Sequence, residues 1–186
     1  MKYDNNAGFL ELIESLEDQH VIKTMFLEHK HLLSILGKLE IYSEILSDFD
    51  NNTKTDVKID AISSINQIIA AEPHHKREEE ALFPILESKG VIGAPHCMRE
   101  EHEILRELKR NLKEGLEKID MESKSSRFSV SMKILDLSRA LREHIKKENS
   151  ILYPLALEII SPSEWIDIKD KCDRIGYCYL SSQQNA

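Results

Sequence analysis

Two histidines in this chain are each followed four residues later by a glutamate, in segments that repeat one another. HHKREEEALFP begins at His74 and HIKKENSILYP begins at His144. Residues four apart share one face of a helix, so His74 projects with Glu78 and His144 with Glu148. A buried carboxylate is costly unless a proton or a cation balances it. One such pair could be the polar edge of a core-facing surface, but two copies favour a metal site.

A second pair of segments repeats in the same way. Met25-x-x-Glu28-His29-x-x-Leu32 returns as Met98-x-x-Glu101-His102-x-x-Leu105. In both copies the histidine lies within an apolar stripe at helical spacing. Each half of the chain therefore contains one helix with a histidine and one helix with a histidine and a glutamate.

Apolar residues at helical spacing, together with only six Gly and five Pro, predict an all-α fold. Short polar linkers at 50–54 and 122–127 favour an antiparallel up-down-up-down four-helix bundle. Short helices flank it at 8–18 and at 161–176, where Ser161-Pro162-Ser163-Glu164 has the pattern of a capping box. We expect one domain over 1–186 with the bundle at 20–160 and a frayed tail at 181–186. The four long helices are predicted at 21–49, 57–88 with a kink at Pro73, 95–119 and 129–160.

The composition argues against several kinds of partner. Lys and Arg number 25 against 33 Asp and Glu, which gives a formal charge of −8. The sequence has no basic run, so neither nucleic acid nor an anionic membrane is an expected partner. No apolar stretch reaches transmembrane length and the N-terminal residues lack a signal-peptide core, so we expect a cytoplasmic protein. The three cysteines have no paired spacing and are expected to be reduced and buried.

Folding the two halves together about a pseudo-twofold axis brings six predicted ligands to one level of the bundle. These are His29, His74, Glu78, His102, His144 and Glu148. Two equal sets of ligands suit two ions, each held by two imidazoles and sharing two bridging carboxylates. Mixed nitrogen and oxygen ligands favour iron over calcium and structural zinc, with manganese less favoured. Coordination positions would remain for an oxide, hydroxide, water or small exogenous ligand.

The first His/Glu pair has an alternative register. His75 and Glu79 are also four residues apart. The distance from His74 to Phe83-Pro84 equals that from His144 to Tyr153-Pro154, which selects His74 and Glu78. Phe83 and Tyr153 are expected to wall the core, and Tyr153 could also donate a hydrogen bond to a bound oxygen species. His20 and His31 are expected at the surface. His96 is expected to be an ordinary helix-start residue, with a supporting role behind the metal ligands as the alternative.

The segments HHKREEEALFP, MREEH and HIKKENSILYP resemble the hemerythrin-like (HHE cation-binding) family over about residues 20–160. Among its members the chain is most similar to di-iron proteins linked to iron–sulfur cluster repair and nitrosative stress, which also use four His and two Glu. Oxygen-carrying hemerythrins use five His, one Glu and one Asp, a set that this chain does not match. No segment before Val21 resembles the N-terminal cysteine domain that repair proteins commonly carry.

The resemblance implies a non-haem di-iron centre that meets dioxygen, nitric oxide or peroxide. The function that we favour is reversible binding or sensing of such a ligand. The alternative is a redox enzyme that reduces nitric oxide or peroxide, or that donates iron for cluster repair, with a redox partner protein. A third reading is structural, in which the ions only cross-link the helices. The sequence does not rank binding against turnover and does not indicate an oligomeric state.

Overall fold

The computed structural model describes residues 6–48 and 54–179, and every regular element in these two stretches is helical. The predicted all-α bundle is confirmed, while the up-and-down order of its helices stays a prediction. No helix in these stretches is both long and apolar enough to cross a membrane.

The elements are α1 (Asn6–Ser15), α2 (Val21–Ser47), α3 (Lys54–Ile69), α4 (Glu72–Arg77), a first π-helical turn (Glu78–Leu82), α5 (Phe83–Ser88), α6 (Gly93–Lys118), α7 (Lys124–Lys147), a second π-helical turn (Glu148–Leu152), α8 (Tyr153–Ile159) and α9 (Pro162–Ile175).

Both π-helical turns begin at a predicted glutamate ligand and end before an aromatic residue followed by proline. The backbone N–H of Phe83 donates to the carbonyl of Glu78, and that of Tyr153 donates to the carbonyl of Glu148. These bonds reach five residues back, one more than in an α-helix. The proline that follows has no N–H and would crowd the carbonyl four residues before it in a regular α-helix. A wider turn at the same place in both copies of the repeat accommodates this proline.

The prediction of one kinked helix over 57–88 is wrong. α3 ends at Ile69, and α4 begins at Glu72 with Pro73 in its first turn. A proline in the first turn leaves no hydrogen bond unmade, because the N–H groups there have no partner within the helix. His74 therefore lies near the start of a new helix.

Several other boundaries differ from those predicted. α7 begins at Lys124, so two thirds of the expected linker at 122–127 is helical, and α6 begins two residues early at Gly93. Most of the linker at 50–54 and the tail at 181–186 lie outside the described residues. The capping box of α9 is confirmed, since the Ser161 N–H donates to the Glu164 carboxylate at 2.8 Å.

The chain divides into two compact units. The first consists of Met1–His31, Ala71–Glu100 and His144–Ala186, and the second of Leu32–Ala70 and Glu101–Glu143. The prediction of a single domain over 1–186 stays a prediction. The apolar core of the first unit includes Phe9, Ile13, Ile22, Met25, Leu82, Phe83, Leu86, Leu152, Tyr153, Ile168 and Cys172.

The second unit has its own buried apolar residues, which include Leu36, Leu39, Leu46, Ile65, Leu112, Leu116, Ile134 and Leu137. A carboxylate–guanidinium pair also joins two of its helices. Arg142 on α7 donates to Glu40 on α2 through Nε at 2.7 Å and through Nη2 at 2.8 Å. This pair is only partly buried.

Candidate metal centre

Five of the six predicted ligands lie in the first unit, and all five are buried. His29 comes from α2, His74 from α4 and His144 from α7, while Glu78 and Glu148 open the two π-helical turns. Both glutamates are completely shielded from solvent, with 0% exposure. His102 is equally buried on α6 but belongs to the second unit, so its place in the site stays a prediction from the repeat.

The ring nitrogens of His29 and His74 face one another. Their Nε2 atoms are 3.0 Å apart, although the residues are far apart in sequence. Carboxylate oxygens approach from both repeats, with Glu148 Oε2 at 3.1 Å from His29 Nε2 and Glu78 Oε2 at 3.7 Å from His74 Nε2. The side chains of His29, His74 and Glu148 form a group whose ligand atoms lie within 4.8 Å of one another. Nitrogen and oxygen donors thus converge on one small buried volume.

The other ring nitrogen of each histidine has an oxygen partner that determines its tautomer. His74 Nδ1 is 2.7 Å from Glu28 Oε2, and His29 Nδ1 is 2.9 Å from Asn149 Oδ1. A carboxylate and an amide oxygen can only accept hydrogen bonds, so the proton of a neutral imidazole lies on Nδ1 in both rings. When both rings are neutral, both Nε2 atoms carry lone pairs that repel at 3.0 Å, and either a shared proton or a metal ion between or beside them removes this repulsion. The donor set therefore fits a metal ion.

Glu148 contacts a histidine with each of its two oxygens. Oε2 lies 3.1 Å from His29 Nε2, and Oε1 lies 2.9 Å from His144 Nε2. Burial alone would lower the pKa of His29, but the Glu148 carboxylate outweighs it and raises that pKa. A carboxylate placed between histidines of the two repeats has the geometry that a bridging ligand requires. The bridging role remains a proposal.

Tyr153 places a phenol beside the same histidines. Its hydroxyl donates to Glu78 Oε1 at 2.8 Å and lies 3.4 Å from the Nε2 atoms of His29 and His74. The side chain is completely buried, and burial together with nearby Glu78 and Glu148 raises its pKa well above the usual value. Tyr153 is therefore a neutral hydrogen-bond donor, whereas Phe83 at the equivalent position of the repeat has no hydroxyl.

The alternative register is distinguished by the glutamates and not by the histidines. Glu78 is completely buried and Glu79 is partly exposed, which agrees with the choice of Glu78. His75, however, is buried like His74, and its ring lies 5.8 Å from that of His144. Its Nδ1 faces Glu72 at 3.8 Å. Assignment of His74 as the ligand stays a prediction.

The remaining histidines and cysteines are mostly where the sequence suggested. His31 and His96 are exposed, and His96 pairs with Glu100 near the start of α6. His20 is only partly exposed, because its ring packs against Trp165 at 4.8 Å. Cys172 and Cys178 are buried, but Cys97 is exposed, so the expectation of a buried thiol is wrong there. All three cysteines are free thiols.

Sequence reasoning missed a buried ion pair behind His74. The Arg77 guanidinium contacts the Glu28 carboxylate, and both side chains have 0% exposure. Burial alone would raise the pKa of Glu28, but His74 and Arg77 outweigh it and hold that pKa at about 2. A sequence signal for Glu28 existed, because a glutamate directly precedes the histidine in both copies of the second repeat. Arg77 had none, because Lys-Arg-Glu-Glu-Glu reads as a solvated charge run.

Taken together, the all-helical bundle and the buried cluster of imidazoles and carboxylates define the class of metal-binding helical proteins. Residues 20–156 match the family described as Hemerythrin HHE cation binding domain. Because the match spans most of the chain, this protein belongs to the hemerythrin HHE cation-binding family. No curated protein has a significantly similar sequence. α1, α9 and the C-terminal residues lie outside the matched region.

Proposed function

We propose that the protein holds two iron ions and uses them to bind or sense a small oxidant or nitrogen oxide. The proposed ligands are His29, His74, Glu78, His102, His144 and Glu148. The observation that carries the proposal is the pair of Nε2 atoms 3.0 Å apart, each with its Nδ1 proton already engaged, beside two buried carboxylates. Membership of a cation-binding family supports the same reading.

The protein's own side chains contribute binding, orientation and a proton donor. Asn149 and Glu28 hold the rings of His29 and His74 so that Nε2 faces the site. Glu78 and Glu148 supply two negative charges, which would offset half of the charge of two divalent ions in a buried environment. Iron, when bound, supplies electrons and open coordination positions. Tyr153 holds a neutral O–H that donates to Glu78 Oε1, and this O–H could serve an oxygen-containing ligand by exchanging that hydrogen bond for one to the ligand.

The test is metal analysis and spectroscopy of protein purified without oxygen. We expect about two iron per chain, with new visible bands on exposure to air or to nitric oxide. Bands that disappear when the gas is removed would support a carrier or sensor. Bands that decay as oxidant is consumed would replace this proposal with the alternative, a redox enzyme with cluster repair or iron donation among its possible roles. Zinc with no spectral response would refute a reactive centre and leave the structural reading.

Matched substitutions test the ligand set. Glu148→Ala should lower the iron content, because it removes oxygens that contact His29 and His144. Glu79→Ala serves as its control, since Glu79 is a partly exposed glutamate beside Glu78. Unchanged iron content in Glu148→Ala would contradict a bridging role.

The histidine register needs its own comparison. His74→Ala should lose iron, whereas His75→Ala should retain it, because Nε2 of His74 and not of His75 faces His29. An equal loss in both variants, or a loss in His75→Ala alone, would show that the His74 register is wrong.

A further inference from the structure

Glu28 makes contacts on three sides from its position on α2. It accepts a hydrogen bond from His74 Nδ1 at 2.7 Å, pairs with the Arg77 guanidinium and accepts the backbone N–H of Cys178 at 3.1 Å. All four of these residues are buried. A carboxylate with its lone pairs directed in this way cannot turn toward another partner.

The two facing histidines therefore have different hydrogen-bond partners at Nδ1. His29 Nδ1 donates to a neutral amide, Asn149, whereas His74 Nδ1 donates to the ionised carboxylate of Glu28. A carboxylate behind a ligating imidazole holds its tautomer and raises the basicity of the nitrogen that binds the metal. We propose that Glu28 is a positioning residue that makes His74 the stronger nitrogen donor of the pair. This inference rests on the metal binding proposed above.

Residues outside the matched family region help to hold Glu28 in place. Cys178 follows α9 and supplies the N–H that contacts Glu28 Oε1. The neighbouring Tyr177 ring lies against the Arg77 guanidinium at 4.6 Å. Both residues lie beyond residue 156, where the family match ends. The C-terminal segment of this chain is thus part of the support of a predicted metal ligand.

The test is Glu28→Gln, measured by anaerobic titration with ferrous iron in competition with a chelator. Glutamine keeps the length and an acceptor oxygen but removes the charge. We expect one of the two ions to bind roughly 10–100-fold more weakly, while the other keeps its affinity. The iron centre should also become easier to reduce, with a roughly tenfold shift of the oxidised-to-reduced ratio, equal to about 59 mV for a one-electron couple.

The control is Glu40→Gln, which removes a carboxylate from the same helix and from an arginine pair that is only partly buried. Glu40 pairs with Arg142 and Ser138 and has no histidine among these partners. This variant should keep wild-type iron affinity and reduction potential. An equal loss of iron affinity in Glu40→Gln would show that the effect does not depend on the contact with His74 and would overturn the role of Glu28.

The possible outcomes separate this inference from the proposed function. Wild-type protein that binds no iron would overturn both. Wild-type protein that binds two ions, with Glu28→Gln equal to it in affinity and potential, would overturn the role of Glu28 alone. If Glu28→Gln fails to fold, the double variant with Arg77→Met removes the unpaired cation, and the same weakening of one ion is expected there. Wild-type affinity in the folded double variant would overturn the inference.

Discussion

Replacement of Arg77 by methionine would break the most deeply buried ion pair described here. The Arg77 guanidinium and the Glu28 carboxylate are both completely shielded from solvent. Methionine fills a similar volume and can still pack on Tyr177, but it leaves Glu28 without its cation. Breaking one partner of a buried pair costs about 3–5 kcal/mol, because an uncompensated charge stays in the interior. Loss of the hydrogen bond from Arg77 Nε to the Pro73 carbonyl adds about 1 kcal/mol.

The double variant Arg77→Met with Glu28→Gln should recover much of that loss. Replacing both members of a buried pair by uncharged groups is often neutral, since neither charge then has to be desolvated. We therefore expect a strong coupling energy of about 2–4 kcal/mol between the two sites. His74 and Cys178 donate to different oxygens of Glu28, and glutamine keeps only one acceptor oxygen, so one of these two hydrogen bonds is lost and limits the recovery.

The assay is urea unfolding of metal-free protein, followed by helical circular dichroism. Metal is removed because a ligand that binds only the folded state adds its own stabilisation. Folded proteins have about 5–15 kcal/mol of total stability, so a loss of this size shifts the urea midpoint clearly. A loss of unfolding free energy below about 1 kcal/mol for Arg77→Met would refute the reasoning. So would a loss in the double variant that equals the sum of the losses in the two single variants.

Two further predictions concern Tyr153 and Glu164. Tyr153→Phe removes the hydroxyl that donates to Glu78, and it should lower the unfolding free energy of metal-free protein by about 1.5–3 kcal/mol; no change would contradict that hydrogen bond. Hydrogen bonds from Ser161, together with Lys89, lower the pKa of Glu164 from 4.5 to about 2. Because the folded pKa is depressed, its stabilising effect is complete above pH 4.5 and is lost as pH falls towards 2. The melting temperature of Glu164→Gln should therefore lie below that of wild type at pH 6 and approach it at about pH 2–3; a constant difference would contradict the cap.

Much of the fold and part of the site could be predicted from local patterns. Helical periodicity located the main helices, because one apolar face recurs every three to four residues regardless of what it contacts. The repeat located five residues that the structure buries in one unit, since the distance from histidine to the aromatic-Pro pair is a local property of the chain. The same reasoning missed both π-helical turns. Each turn is marked in the sequence by the proline after Phe83 or Tyr153, but that proline was interpreted only as part of the repeat.

The support of His74 depended on tertiary structure. Glu28 and Cys178 are 150 residues apart in sequence, and no periodic pattern relates them. Arg77 has the composition of a surface residue and becomes a core residue only because Glu28 and Tyr177 enclose it. Residue types and spacing determine which face a side chain occupies, since that depends on the local backbone. The charged group that this side chain contacts depends on how distant segments pack, so it is determined only in the folded protein.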